Sequence, residues 1–267
     1  MDDGSPLVHR DHHGPVVTLT LDSPKNRNAL SSRLLAELQA GLDEVAHDAD
    51  VRVVVLTGSG TAFCSGVDLS ERLHPPSEAP PATLADVLRL IASMPQPVVA
   101  RVNGHVRAGG MGLVATCDLA AATTGATFSF SEVRVGVAPA IIAVPALRRM
   151  GRRAFERYAL TGDVFDATAA VDAGLVHAAP GDIDALDVWV ESIVGSLLAA
   201  APSALAATKA LADLVDRPWR DALDATAALS DDLFGAPAAA EGMAAFLEKR
   251  RPAWVVDWPP TGRPASG

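Results

Sequence analysis

The stretch Val16 to Leu21 (VVTLTL) alternates β-branched residues with leucine and closes on Asp22, Ser23 and Pro24, so it predicts a short strand ended by a turn. Leu34, Leu35, Leu38, Leu42 and Val45 then recur at three- and four-residue intervals, the spacing of one buried helical face, and Ser31 or Ser32 stands where a cap is needed. Val51 to Thr57 (VRVVVLT) is almost continuous Val and Leu, as in a strand covered on both faces, and it runs into Gly58 and Gly60. Strand, helix and buried strand in succession predict α/β layering. Pro97 to Val102 (PVVARV) repeats the buried-strand pattern, a helix is predicted to start over Leu113 to Cys117, and Asp118 to Ala122 and Phe128 to Phe130 read as two more short strands. Pro75, Pro76, Pro80 and Pro81 leave residues 74–82 without periodicity, which predicts a surface loop.

From about Pro145 the pattern becomes helical, with segments expected at 145–159, 166–173, 184–200, 203–215, 219–233 and 237–250. Alanine makes up 50 of the 267 residues, so part of this helicity is intrinsic propensity. The organisation expected is a core over residues 1–200 followed by a helical C-terminal region over 201–267.

Composition narrows the class. With 49% hydrophobic and 20% charged residues the chain folds, and its length suits one large domain or one domain with an appendage. The formal charge of −10 gives no overall basic field for nucleic acid or an anionic membrane, so a polyanionic ligand must meet a local cation cluster. Two cysteines, Cys64 and Cys117, exclude a multi-bridge scaffold and fit a reducing compartment; a cytoplasmic location is expected by elimination, since neither a leader nor a membrane span is legible. No Cys/His ligand spacing is present, and no metal or redox cofactor is expected.

Two glycine-rich runs each follow a buried strand: Thr57-Gly58-Ser59-Gly60-Thr61-Ala62-Phe63-Cys64-Ser65-Gly66-Val67-Asp68-Leu69 and Asn103-Gly104-His105-Val106-Arg107-Ala108-Gly109-Gly110-Met111-Gly112. A dinucleotide fingerprint fails because Phe63 stands where its third glycine belongs, and no Gly-Lys-Ser/Thr occurs. A serine-hydrolase elbow fails because Ser65 has no glycine two residues before it. Two turns that each present a free backbone N–H make an oxyanion hole; the bland alternative is a pair of tight strand-to-helix turns.

Together with Pro24-Lys25-Asn26-Arg27-Asn28-Ala29-Leu30, the Cys117-Asp118 pair and the ending Glu241-Gly242-Met243-Ala244-Ala245-Phe246-Leu247-Glu248-Lys249-Arg250, these runs resemble the enoyl-CoA hydratase/isomerase, or crotonase, family over about residues 7–254. The resemblance implies a spiral of ββα units topped by C-terminal helices that serve oligomerisation and act as a lid, in a homotrimer or dimer of trimers. It implies an acyl-CoA substrate whose thioester oxygen lies between the main-chain N–H groups of Val67 and Gly109, coenzyme A entering as part of the substrate. Ala29, Ser65, Gly66, Asp68, Leu69, Ala108, Gly112 and Ser131 fall on matched substrate-contacting positions. Lys25, Arg27 and Lys249, with Arg250 and Arg251, are the cation clusters available to the phosphates.

The family's hydratases place two glutamates around a water. The second matches Glu132; the first matches Gly112. One carboxylate without an orienting partner suits double-bond isomerisation, in which Glu132 shuttles a proton between carbons flanking an enolate. Two alternatives stand beside it: true hydration, which needs either a second acid, such as Glu71, to enter the site or an ordered water held by something other than position 112, and non-catalytic acyl-CoA binding. Gly112 also suggests room for a branched or longer acyl group. His105 reads as a hydrogen-bonded structural residue, Cys64 as inert, and Arg107 as partnered by an acid or by substrate.

Overall fold

The computed structural model describes residues 5–73, 82–214 and 218–259. Ten strands and eleven α-helices are described: β1 (Val8–His13), β2 (Val16–Leu21), α1 (Ser32–His47), β3 (Val53–Gly58), β4 (Ala62–Cys64), α2 (Leu69–Leu73), α3 (Leu84–Ser93), β5 (Val98–Val102), β6 (His105–Arg107), α4 (Gly109–Thr116), β7 (Leu119–Thr123), β8 (Thr127–Ser129), α5 (Ala140–Arg149), α6 (Arg152–Thr161), β9 (Phe165–Asp166), α7 (Ala167–Asp172), β10 (Ala178–Gly181), α8 (Ile183–Leu198), α9 (Pro202–Leu214), α10 (Trp219–Phe234) and α11 (Pro237–Glu248). The loop expected over residues 74–82 lies, apart from buried Ala82, outside the described residues.

Two sheets form. Six strands run in the order β1-β2-β3-β5-β7-β10, parallel except for the β1–β2 hairpin, and four in the order β4-β6-β8-β9. Each turn of the chain gives one strand to each sheet and then a helix: β3 and β4 lead toward α2, β5 and β6 into α4, and β7 and β8 toward α5. This is the ββα spiral. Because β4, β6 and β8 are parallel neighbours, the segments that leave their C-terminal ends emerge side by side. The first and second of these are the two glycine-rich turns; the third carries Glu132.

Strand β3 is buried at all six positions because it is covered on both faces. Val53 and Val55, with Val16, Val99 and Ala121, pack on Leu186, Val190, Val194 and Leu198 of α8; Val54 and Leu56 join the main core between the sheets and α1, α3 and α4. Helix α1 buries Leu34, Leu35, Leu38, Leu42 and Val45, the five positions its periodicity marks, and Ser31 caps it through Leu34 N–H at 3.2 Å. Lys209 fastens α9 to this core: its ammonium, 9% exposed, donates to the carbonyls of Ile91 and Gln96 and lies 2.8 Å from the Asp118 carboxylate.

Several boundaries differ from the sequence pattern. The helix expected over 145–159 is two helices, broken at Met150 and Gly151, whose backbones are extended, and the first begins at Ala140 with Pro145 inside it. Helix α4 begins at Gly109, four residues before the expected start. Strands β1, β6, β9 and β10 carry no apolar signature of their own, and the apolar β4 is too short for one to show; β1 is an edge strand with five of six residues exposed.

Candidate active site

The first turn is built by a buried amide. Asn28, fully buried with φ of +55°, accepts from Ser23 N–H at 2.8 Å through Oδ1 and donates through Nδ2 to the carbonyls of Ser59, Ala62 and Phe63 at 3.0, 2.8 and 3.3 Å. Pattern reasoning placed Asn28 inside a motif without assigning it work; its signal is a left-handed backbone position, which asparagine tolerates. The same segment is laced to the turn by Ser65 N–H on Arg27 O and Ser65 Oγ on Asn26 O. Leu30 then bridges Val67: its N–H donates to Gly66 O at 2.7 Å and its carbonyl accepts from Asp68 N–H.

That bridge uses the amides on either side of Val67 and leaves the Val67 N–H without an acceptor among the described residues. Gly109, first residue of α4, is in the same condition. The two turns touch. Gly66 has φ of +91°, and a Cβ placed on it would lie 2.7 Å from Ala108 Cβ and 3.3 Å from Gly109 N, so only glycine lets them approach. Ala108 has φ of +45° and ψ of −119°, a conformation that strains an alanine, and its N–H is held by Ser129 O of β8 at 3.0 Å. Ala108→Gly is therefore expected to raise stability by about 1 kcal/mol, strain relief outweighing the added freedom of the unfolded chain, as thermal unfolding would read.

Three residues beyond Ser129, Glu132 opens a 3₁₀ turn over Glu132–Val135. Its carboxyl is half-buried, and Oε2 is fully buried without a hydrogen-bond partner among the described residues. Burial pushes this carboxyl above the ordinary glutamate value of 4.5. On the same side of the molecule α3 lays Leu84 and Leu88 near Gly109 and Gly112, and α5 brings Ile142 against Gly112. A Cβ on Gly112 would lie 2.5 Å from Ile142 Cγ2 and 3.4 Å from Leu88 Cδ1, so the glycine frees no space for a larger acyl group: that room is filled. Sequence reasoning missed Ile142, whose only signal is the apolar pair Ile141-Ile142 behind Pro139.

Other expected participants are engaged elsewhere. Glu71 does not enter the site; its Oε2 accepts from the N–H and hydroxyl of Ser32, both at 2.8 Å, at the start of α1. Asp68 accepts from Ser70 N–H and Oγ, contacts that hold it below the usual carboxylate range. Arg107 pairs with no acid among the described residues: its guanidinium donates to the carbonyls of Val106 and Thr127 and to Thr127 Oγ1. His105 is exposed and hydrogen-bonds Thr127 Oγ1 at 2.9 Å. Cys64 is buried and its thiol is pushed up to about 12, which leaves it inert at neutral pH.

Lys25 and Arg27 are exposed at the mouth of the first turn, Leu69 is exposed at the start of α2, and Ala29 and Ser131 are partly buried. Lys249 is not brought to them within one chain; it caps α11, and no hydrogen bond or ion pair among the described residues joins it to the turns. A separate cavity of about 740 Å³, lined by Leu211, Leu229, Leu233, Met243 and Trp254 among others, lies between the C-terminal helices and contains none of these site residues.

A ββα spiral with two adjoining glycine-lined turns, the second held by the strand that leads to the half-buried Glu132 carboxyl, defines an enzyme of the crotonase fold. The sequence profile described as enoyl-CoA hydratase/isomerase matches residues 11–256, and the chain belongs to that family. It is similar to the enoyl-CoA hydratase of Mycobacterium smegmatis, whose crystal structure superposes with a TM-score of 0.88 at 38% identity over 94% of this chain and 100% of that one. Among curated relatives, enoyl-CoA hydratase domain-containing protein 3, mitochondrial, of Danio rerio is 31% identical over 94% of this chain and 89% of its own length. The enoyl-CoA hydratase AKT6-1 of Alternaria alternata is 34% identical over 73% of this chain, which spans 65% of that protein's length.

Proposed function

We propose that this enzyme moves a proton between the carbons of an acyl-CoA thioester, with Glu132 as its only base and the Val67 and Gly109 N–H groups holding the thioester oxygen. The observation that carries the reading is the buried Oε2 of Glu132, unpartnered among the described residues; Gly112, the position matched to the family's other glutamate, offers no second carboxylate. Removal of a proton α to the thioester leaves an enolate; the Val67 and Gly109 N–H groups, which have no acceptor among the described residues, would stabilise that charge. Glu132, now protonated, returns the proton to the γ carbon, and the double bond has moved. Its raised pKa makes the carboxylate a stronger base, and the carboxylic acid can reprotonate the dienolate. Lys25 and Arg27 supply exposed cations for the phosphates. No metal or redox cofactor is required by this chemistry.

Hydration is the second reading, favoured by the names of the relatives. The two separate in one experiment: crotonyl-CoA and a 3-enoyl-CoA are each incubated in deuterated, heavy-oxygen water, and the products are weighed by mass spectrometry. Deuterium uptake with bond migration and no added oxygen is expected. Hydroxyacyl product carrying heavy oxygen would sink the single-base mechanism.

Assembly into a homotrimer, or a dimer of such trimers, belongs to the same proposal. Its support is apolar surface: Trp219, Phe234, Phe246 and Leu247 are 80%, 69%, 82% and 79% exposed on α10 and α11, and Leu160 is 77% exposed on α6. Such a partner would also place a second chain's Lys249 within reach of a ligand. Sedimentation equilibrium is expected to return three or six chains; a monomer would refute the assembly.

A further inference from the structure

We infer that Ile142 is the specificity-determining residue of this site: packed on Gly112, it holds the place from which a second acid would act on water, and so confines the enzyme to proton transfer. The inference rests on the single-base reading of Glu132 and adds to it the residue that enforces it.

Gly109 and Gly112 are three residues apart on α4, so both face the same side of the helix, the second one turn deeper than the amide proposed to hold the thioester oxygen. By the resemblance, position 112 is the one from which the family's hydratases present their first glutamate. What stands there is Ile142, 2% exposed: a Cβ on Gly112 would come within 2.5 Å of its Cγ2 and 3.1 Å of its Cβ. Neither atom is the free end of a flexible chain. Both belong to the branch point of a β-branched residue, whose χ1 is nearly fixed on a helix. Behind it, Leu88 Cδ1 closes the space at 3.4 Å from the same point. Glycine at 112 and isoleucine at 142 are thus a matched pair, and a glutamate at 112 cannot be accommodated while Ile142 remains. An ordered water needs about two to four polar partners. The wall made by Leu88 and Ile142 offers none, so a nucleophilic water has no seat on this side of the acyl chain.

The test compares the wild type with Ile142→Ala, Gly112→Glu and the double variant Gly112→Glu/Ile142→Gly, reading thermal unfolding and the ratio of hydration to isomerisation on crotonyl-CoA and a 3-enoyl-CoA. Gly112→Glu alone is expected to lower the melting temperature and lose both activities. The double variant recovers the melting temperature, and its hydration-to-isomerisation ratio rises about a hundredfold, the worth of one positioned acid. Ile142→Ala, which removes the wall without adding a group, is expected to raise kcat/KM for a γ-branched 3-enoyl-CoA about tenfold relative to the straight chain. A Gly112→Glu variant as stable as the wild type, a double variant with the wild-type product ratio, or an Ile142→Ala enzyme with unchanged chain preference overturns the inference alone. A wild type that hydrates crotonyl-CoA, or is silent on both thioesters, overturns the single-base reading and the inference with it, and that outcome is read before any variant is compared.

Discussion

Glu132→Gln is expected to abolish turnover of every thioester the wild type accepts while raising the melting temperature at neutral pH. Both effects have one cause. Oε2 of Glu132 is buried with no hydrogen-bond partner among the described residues, and burial lifts the carboxyl above its ordinary value of 4.5. A base so placed is stronger than a solvated carboxylate, and its loss removes proton transfer, worth about 10²–10⁴ in rate. The same desolvation destabilises the ionised form in the folded state. A carboxyl whose folded pKa lies above its unfolded one contributes its full share of stability below the unfolded value, and that share is lost as pH rises through the folded pKa. The neutral amide escapes this penalty. The stability difference between variant and wild type should therefore be largest above the raised pKa and shrink toward zero below 4.5, where the carboxyl is protonated whether the chain is folded or not. Activity runs the other way: kcat/KM should fall as pH drops through the raised pKa, at a higher pH than an ordinary carboxylate would titrate. Calorimetry across pH, beside a pH–rate profile, checks both. A Glu132→Gln protein that keeps its activity, or one less stable than the wild type at neutral pH, would contradict the assignment.

Asn28→Asp should cost about 3–5 kcal/mol of folding stability, as an uncompensated buried charge does. The substitution changes no volume and keeps a residue type that accepts φ of +55°, so backbone strain is not the cause. It turns the donor Nδ2 into an acceptor facing the carbonyls of Ser59, Ala62 and Phe63, and it places a carboxylate at a position with no exposure. Three backbone oxygens lose their donor at once. Because Asn28 anchors the segment that carries Leu30 onto Val67, what folds should also bind acyl-CoA more weakly. Urea unfolding is the measurement: a lower midpoint at unchanged slope is expected, and a midpoint equal to the wild type's would show that the clamp is not formed.

Helix α1 and the central strands were legible because their burial is one-sided or complete: a periodic stripe on α1 and an unbroken apolar run on β3 leave a mark in the residues themselves. The order of motifs along the chain likewise carries the resemblance to the family. Other elements left no such mark. Strand β1 pairs along its whole length with β2 but is exposed at five of six positions, so backbone hydrogen bonding defines it and side-chain pattern does not. Strands β4, β6 and β8 have three residues each, too few for a period to show. Helix α4 begins on two consecutive glycines, the poorest non-proline helix formers, because packing against neighbouring turns overrides propensity there.

The site divides in the same way. The resemblance to the family, carried by motifs in chain order, marked Glu132, Val67 and Gly109 and set Gly112 apart as the position without an acid. What position 112 means was decided only by tertiary structure. Its empty side chain is matched by Ile142, thirty residues away in sequence and packed against it in space, so the room beside the glycine is filled where pattern alone suggested that it was open. The engagement of Glu71 by Ser32 and of Arg107 by Thr127 has the same character. A side chain's reach is spent on whatever partner the fold brings near, and that partner is distant in the sequence.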